Sequence, residues 1–377
     1  AAGRPAYHNY FNPWIRLYGP DGVLVSQGAV AGDLAEEIAF QASLSGTFTV
    51  VVADGNYGDI TGTGAYELHY LNLAAGFILP AGDEGGPLTN GGDYSGTILT
   101  GDLDPWTFTA NAGQTVLLRI GELTTTNYFD PWLRLYGPDG VLVAQGAVAG
   151  AIDSQISLRT TNGGTFTVVV ADGNYSGFGG TGIYDLHYLK VPGDFVVPPG
   201  DQGGRITSTS PSSGTIDIGD LDPWTFTACE GDIIHFNLTT TNFTGNLGLY
   251  GPTGALVKNA GGTINVNLAY MPTNCGPFTL VVSSSAVGGT GTYQLSGNVL
   301  DTMRLCFPSI SGTNLTLCGV GGPTNAQFVL YSTTNVAAPW ALWTPIYTNL
   351  FDQLGVFSYS SLYYPAVPQQ YFRFQLP

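Results

Sequence analysis

Leu17-Tyr18-Gly19-Pro20-Asp21-Gly22 returns as Leu135-Tyr136-Gly137-Pro138-Asp139-Gly140, 118 residues later, and this recurrence decides the fold. Pro at the second turn position and Gly at the fourth mark a tight turn between antiparallel strands. The same shift carries Val50-Val51-Val52-Ala53-Asp54-Gly55-Asn56-Tyr57 onto 168–175, and Pro80-Ala81-Gly82-Asp83-Glu84-Gly85-Gly86 onto 198–204. It also carries Gly101-Asp102-Leu103-Asp104-Pro105-Trp106-Thr107-Phe108-Thr109-Ala110 onto 219–228. A third copy of the turn, Leu249-Tyr250-Gly251-Pro252-Thr253-Gly254, follows after 114 residues, so the third repeat is shorter and more diverged. Self-similarity at a fixed period is the signature of a tandem array.

Around the turn the local pattern is that of strands. Thr47-Phe48-Thr49-Val50-Val51-Val52 and its copy at 165–170 are β-branched runs too apolar for an edge and are expected to be central strands. Tyr66-Glu67-Leu68-His69-Tyr70 alternates with period two, which puts Tyr66, Leu68 and Tyr70 on the core face and Glu67 and His69 outside. Residues 184–188 repeat this, so His69 and His187 are expected on the surface. The 54 glycines and the many aromatic and β-branched residues agree with short strands joined by tight turns. The fold class expected is all-β: tandem antiparallel sandwiches, three similar modules with the first incomplete, and a smaller C-terminal sandwich. The boundaries read as 1–76, a linker 77–91, 92–190, a linker 191–211, 212–300 and 301–377. Prolines in the linkers make them semi-rigid spacers.

Charged residues are only 10% of the chain, and the net charge of −17 comes from having just 10 Lys and Arg. Without a basic stripe, nucleic acid and anionic membrane are poor partners, and no apolar run approaches the roughly 18–20 residues of a membrane span. The histidines, His8, His69, His187 and His235, are scattered. The chain has no HExxH, GxSxG or P-loop, and no GxGxxG after a strand, so no catalytic residue is assigned and the chain is read as not an enzyme. Cys229 and Cys275 replace Asn111 and Gly163 of the second repeat together, and Cys306 and Cys318 flank Ser311-Gly312-Thr313 as facing residues of a hairpin would. Two disulfides are expected, and with them a secreted, extracellular protein of a bacterial cell surface. Asp102 with Asp104, Asp220 with Asp222, and Asp54 and Asp172 in the Ala-Asp-Gly-Asn-Tyr loops are candidates for calcium; the alternative is that each caps a turn. Trp14, Trp106, Trp132 and Trp224 read as core anchors rather than sugar platforms.

The order Gly-Asp-Leu-Asp-Pro-Trp-Thr-Phe-Thr-Ala, Ala-Gly-Gln-Thr-Val-Leu-Leu, Leu-Tyr-Gly-Pro-Asp-Gly, Gly-Thr-Phe-Thr-Val-Val-Val and Gly-Thr-Gly-Ile-Tyr-Asp-Leu resembles the bacterial pre-peptidase C-terminal domain over residues 1–300. That family is a β-sandwich of secreted and surface proteins, and the resemblance implies a module that binds, spaces or assembles, some members holding calcium. Residues from about 305 on, with Gly312-Thr313-Asn314-Leu315-Thr316-Leu317, Phe328-Val329-Leu330-Tyr331-Ser332-Thr333-Thr334-Asn335, Trp343 and Tyr371-Phe372-Arg373-Phe374, resemble a small sandwich that closes many secreted proteins of Verrucomicrobia-like bacteria.

Laid on the repeat, Ala1 corresponds to Arg119, so the first sandwich is expected to lack two strands and part of a third. The reading that follows is a structural subunit of an extracellular filament or surface fibre, polymerising head to tail by strand complementation. The assembly residues expected are Ala1, Tyr7, Tyr10 and Trp14 on one side and Tyr371, Phe372 and Phe374 on the other. The alternative is a glycan- or protein-binding adhesin module of a larger secreted protein.

Overall fold

The computed structural model describes residues 11–28, 34–55, 62–73, 76–124, 129–146, 150–173, 179–206, 211–300, 304–306, 308–322, 325–352, 355–362 and 369–376. The described chain is all strand and turn apart from one 3-10 turn at Trp340–Leu342, and no helix is long and apolar enough to cross a membrane. Two compact units divide it: 1–226 with 237–267 and 277–296, and 227–236 with 268–276 and 297–377.

The second repeat is the complete sandwich. Its strands are β4 (Gly86–Pro87), β5 (Gly92–Ile98), β6 (Asp104–Ala110), β7 (Thr115–Glu122), β8 (Pro131–Tyr136), β9 (Leu142–Gly146), β10 (Asp153–Arg159), β11 (Gly164–Asp172) and β12 (Gly182–Val191); β1 to β3 precede them in the first repeat. One sheet has the order β4-β6-β11-β8-β9 and the other β10-β7-β12-β5. Alternation sends Leu133 and Leu135 of β8, Phe166, Val168 and Val170 of β11, and Tyr184, Leu186 and Tyr188 of β12 into one core between the sheets. Phe108 stacks on Phe166 with centroids 5.4 Å apart and meets Tyr188 at 4.7 Å. Gly96 is required where it sits, because a Cβ there would lie 2.3 Å from the Tyr184 ring. As expected, β11 is central, between β6 and β8.

The third repeat copies this plan with β13 (Gly204–Arg205), β14 (Ser212–Ile216), β15 (Asp222–Ala228), β16 (Ile233–Thr240), β17 (Gly245–Tyr250), β18 (Leu256–Gly262), β19 (Asn265–Tyr270), β20 (Gly276–Ser284) and β21 (Gly291–Leu300), in sheets β13-β15-β20-β17-β18 and β14-β21-β16-β19. The C-terminal strands are β22 (Arg304–Leu305), β23 (Ser309–Ser311), β24 (Asn314–Val320), β25 (Gln327–Thr333), β26 (Thr344–Leu350), β27 (Phe357–Leu362) and β28 (Tyr371–Gln375). They make a sheet β22-β24-β23, with β27 also on β24, and a sheet β26-β25-β28 around Leu315, Leu317, Phe328, Leu330, Phe351 and Phe357.

Both disulfides are formed, Cys229–Cys275 and Cys306–Cys318. In the second repeat a Cβ on Gly163 would lie 3.7 Å from the Asn111 Cα, so the same two turns meet there without a bridge. Replacing Cys229 and Cys275 by alanine should cost about 4 kcal/mol, because the bridge closes 46 residues, and replacing Cys306 and Cys318 about 3 kcal/mol for 12 residues. Urea unfolding of the two double variants checks the order.

The first repeat keeps only half of the plan. β1 (Pro13–Tyr18), β2 (Leu24–Gly28) and β3 (Thr49–Asp54) form a sheet β2-β1-β3, so among the described residues the Val50–Val52 run expected to be central has a partner on one side only. Residues 35–41 and 64–73, the counterparts of β10 and β12, form no ladder. The reason lies in the second repeat: β7 is the strand that pairs with both β10 and β12, and among the described residues nothing takes its place here.

Candidate functional sites

Two features separate this chain from a plain tandem array: the unpaired half of the first sandwich and the acidic junctions between repeats.

In the first, Tyr66, Leu68 and Tyr70 are 58%, 50% and 75% exposed, whereas their counterparts Tyr184, Leu186 and Tyr188 are 0%, 0% and 2% exposed. The expectation that they face a core is corrected by the structure. Their alternation is that of a core strand, but the sheet that would carry them is not assembled, so the aromatic rings lie in water. Val50 and Phe40 are exposed as well, and Phe11 stacks on Tyr66 at 6.0 Å. Trp14 lies on β1 with the Arg16 guanidinium 4.2 Å above its ring, as Arg134 lies over Trp132. Ala1, Tyr7 and Tyr10 lie outside the described residues. Tyr371, Phe372 and Phe374 are on β28, which pairs with β25, and Phe372 and Phe374 pack against the C-terminal core, so a donor role would require β28 to leave its own sheet.

The junctions are built from the end of one repeat, the linker and the start of the next. The linkers are not free spacers: Gly86–Pro87 and Gly204–Arg205 lie parallel to β6 and β15 as short edge strands. This pins Asp83 and Asp201 beside the Asp-Leu-Asp segments. Asp201, Asp220 and Asp222 bring one carboxylate oxygen each to within 4.8 Å of one another, and so do Asp83, Glu84 and Asp104; His69, Asp83 and Asp102 form a further set of the same compactness. Asp83, Asp102, Asp104 and His69 are the repeat counterparts of Asp201, Asp220, Asp222 and His187, so the arrangement occurs twice in one chain.

Local structure explains the positions. Trp106 donates its indole N–H to the Tyr184 hydroxyl (3.1 Å), which donates to Asp104 Oδ2 (2.6 Å); Trp224 donates likewise to Tyr293 (3.2 Å), whose hydroxyl neighbours Asp222. Asp104 and Asp222 are both fully buried. Burial, more than the nearby Asp102, Glu84 and Asp83, pushes the Asp104 carboxyl up to about 8, against the Tyr184 hydrogen bond. Burial raises Asp222 and Asp220 in the same direction, and Asp201 with them. Asp104 Oδ1 has no hydrogen-bond donor, and the Asp222 carboxyl has the Tyr293 hydroxyl and the Asp201 carboxyl beside it.

The histidines overturn a second expectation. His187 does point outward from its own sandwich, but it is only 8% exposed because the following repeat covers that face. Its Nδ1 lies 2.7 Å from Asp93 and 3.5 Å from Asp220, and His69 lies 3.4 Å from Asp102. Burial would depress the His187 imidazole, yet Asp93 and Asp220 hold it above its ordinary value. The covered face is apolar around it: Leu117, Leu189 and Val191 of the second repeat meet Leu221, Tyr250 and Val281 of the third.

Asp54 and Asp172 sit apart from the junctions. Asp172 accepts the N–H groups of Asp130 (3.0 Å) and Gly180 (2.7 Å), and Asp54 those of Asn12 (3.1 Å) and Gly62 (2.7 Å), which is how a carboxylate closes a loop.

No family model matches the chain, and no curated protein matches it. Among solved structures it is similar to the pre-peptidase C-terminal domain of a collagenase from Bacillus anthracis, with 17% identity, a TM-score of 0.23, and 26% of this chain and 96% of that one covered. It is also similar to PliG, a periplasmic lysozyme inhibitor of g-type lysozyme from Aeromonas hydrophila, with 17% identity, a TM-score of 0.24, and 28% and 96% covered.

Proposed function

We propose that the chain is a non-catalytic structural subunit of an extracellular filament or surface fibre, joined head to tail by a strand that completes its first sandwich. The observation that carries this reading is the pair of unladdered segments, 35–41 and 64–73, with Tyr66, Leu68 and Tyr70 exposed where their counterparts in the second repeat are buried. An inserted strand would take the place of β7 and bury those rings, gaining roughly 25 cal/mol for each Å² of apolar surface covered while satisfying two rows of backbone groups. Such a contact uses different surfaces on the two copies, which is the arrangement that grows a fibre. The two disulfides support folding in an oxidising compartment, and so a secreted protein.

The test is electron microscopy of the purified full chain beside Leu68→Asp and Tyr70→Asp variants. Both positions are exposed, so the substitutions should leave the monomer folded and abolish fibres. Single particles from the unsubstituted chain, or unchanged fibres from both variants, would sink the reading.

A further inference from the structure

We propose that the cavity beside Arg119, between the second and third sandwiches, is a binding site for a neutral sugar. It takes one pyranose ring, free or at the end of a glycan chain.

The cavity has a volume of about 240 Å³ and lies where β7, β9 and β10 of the second repeat meet the end of β20. All of its lining residues belong to one compact unit. The repeat shows why space remains there. At the first junction Arg134 donates to Glu37, and its guanidinium lies 4.2 Å over the Trp132 ring. The counterparts of Glu37, Arg134 and Trp132 at the second junction are Gln155, Gly248 and Asn246. An ion pair and a ring give way to smaller side chains, and Gln155 lines the cavity. The floor is made by Arg119, Asp153, Ser154 and Ser284, which are only 5%, 7%, 5% and 5% exposed. The Arg119 guanidinium donates to Asp153 Oδ2 at 3.2 Å and, through its other terminal nitrogen, to the carbonyls of Ser284 and Asp220. Its Nε–H has no acceptor among the described residues, and Ser154 Oγ has no partner among them either. A buried polar group without a partner loses more than a hydrogen bond gains, so both atoms point to a ligand that brings hydrogen-bonding groups into the cavity.

The class of ligand follows from what surrounds those two atoms. Asp153 neutralises Arg119, so no surplus positive charge is left for an anion, and the guanidinium repels a metal ion. A neutral molecule with several hydroxyls fits both conditions. One sugar hydroxyl accepts from Arg119 Nε–H while its neighbour exchanges a bond with Ser154, since a hydroxyl both donates and accepts. At the rim, the exposed side-chain amides of Gln145 and Gln155 offer donors and acceptors to further hydroxyls, and Val287, 60% exposed, offers an apolar wall to a C–H face of the ring. At roughly 30 Å³ per water in the liquid, the cavity has room for about eight waters, enough for one pyranose ring with its hydroxyls and not for two. The site lies within a single chain, so the inference stands whether or not copies polymerise.

The experiment is saturation-transfer NMR and titration calorimetry on the full chain with glucose, galactose, mannose and N-acetylglucosamine, and with sodium acetate as the anionic control. At least one sugar is expected to bind with a dissociation constant on the order of 1 mM, with little dependence on salt. Ser154→Ala should weaken that sugar about three- to tenfold, and Ala286→Trp, which sets a ring at an exposed position of the cavity wall, should abolish binding. Thermal unfolding checks that both variants fold. Ser154→Ala removes only a hydroxyl without a partner and should keep the parent midpoint, so it decides the matter if the tryptophan variant does not fold. Silence from all the sugars would overturn the proposal and leave water as the occupant. So would acetate binding in place of sugar, which would make Arg119 an anion site, or a sugar affinity that neither variant changes. Fibre formation is scored separately, so a failure of the sugar site and a failure of strand complementation are distinguishable.

Discussion

Replacing Arg119 with methionine is expected to destabilise the second and third sandwiches by about 3–5 kcal/mol. Arg119 leaves β7 on the side away from its own core and is nonetheless buried. One guanidinium nitrogen donates to the carbonyls of Ser284 (3.0 Å) and Asp220 (3.4 Å), and another to Asp153 Oδ2 (3.2 Å). Methionine fills much of the volume but removes the charge partner of the Asp153 carboxylate, leaving it the Gly288 N–H at 3.2 Å, and takes a donor from the Asp220 and Ser284 carbonyls. Urea unfolding reads the loss. The double variant Arg119→Met with Asp153→Leu should recover most of it, since removing both charges avoids the uncompensated one. A single variant within about 1 kcal/mol of the parent would mean that water enters the junction and takes over these bonds.

The second large effect is on pH dependence in chelator. Asp104 is held at about 8 in the native chain against 3.8 for the free side chain, so the native state binds more protons than the unfolded state between those values. Stability is then fully present below about pH 4 and is lost as pH climbs towards 8. Asp222, Asp220 and Asp201 are raised and act in the same sense. His187 is raised too: its contribution is complete below its unfolded value of 6.5 and lost as pH rises through its higher native one. All slopes agree, and the sum should reach a few kcal/mol between pH 5 and 8. Thermal midpoints in EDTA at pH 5, 6.5 and 8 should therefore fall steadily. A flat or rising series would show that these carboxyls are solvated.

Much of this architecture is written in the repeat. The 118-residue shift placed β8 and β11 and their copies, and the paired change of Asn111 and Gly163 to Cys229 and Cys275 located a disulfide because strand turns that meet in one repeat meet in the next. Packing between repeats is not written in the period. An outward-facing position is not a wet one for His187: Val116-Leu117-Leu118 of β7 breaks alternation with an apolar residue on each side, as expected of a strand covered on both faces. Asp83 and Asp201 lie in segments that read as linkers; their identical spacing from Asp104 and Asp222 is the signal that ties them to the junctions. The cores of the first repeat went the other way: Tyr66, Leu68 and Tyr70 have the right alternation, but alternation assigns a face and does not supply the strand that must lie against it.

Every residue of β7 is buried, and the strand is flanked by β10 and β12. Its amides are therefore enclosed by neighbouring strands at its sides and by sandwiches above and below. In hydrogen exchange they should be the last in the chain to acquire deuterium, at a rate set by opening of the whole second sandwich rather than by any local fluctuation. Segments 35–41 and 64–73, which lack such a strand, should exchange within the first time points, and slow only if another strand moves in between them.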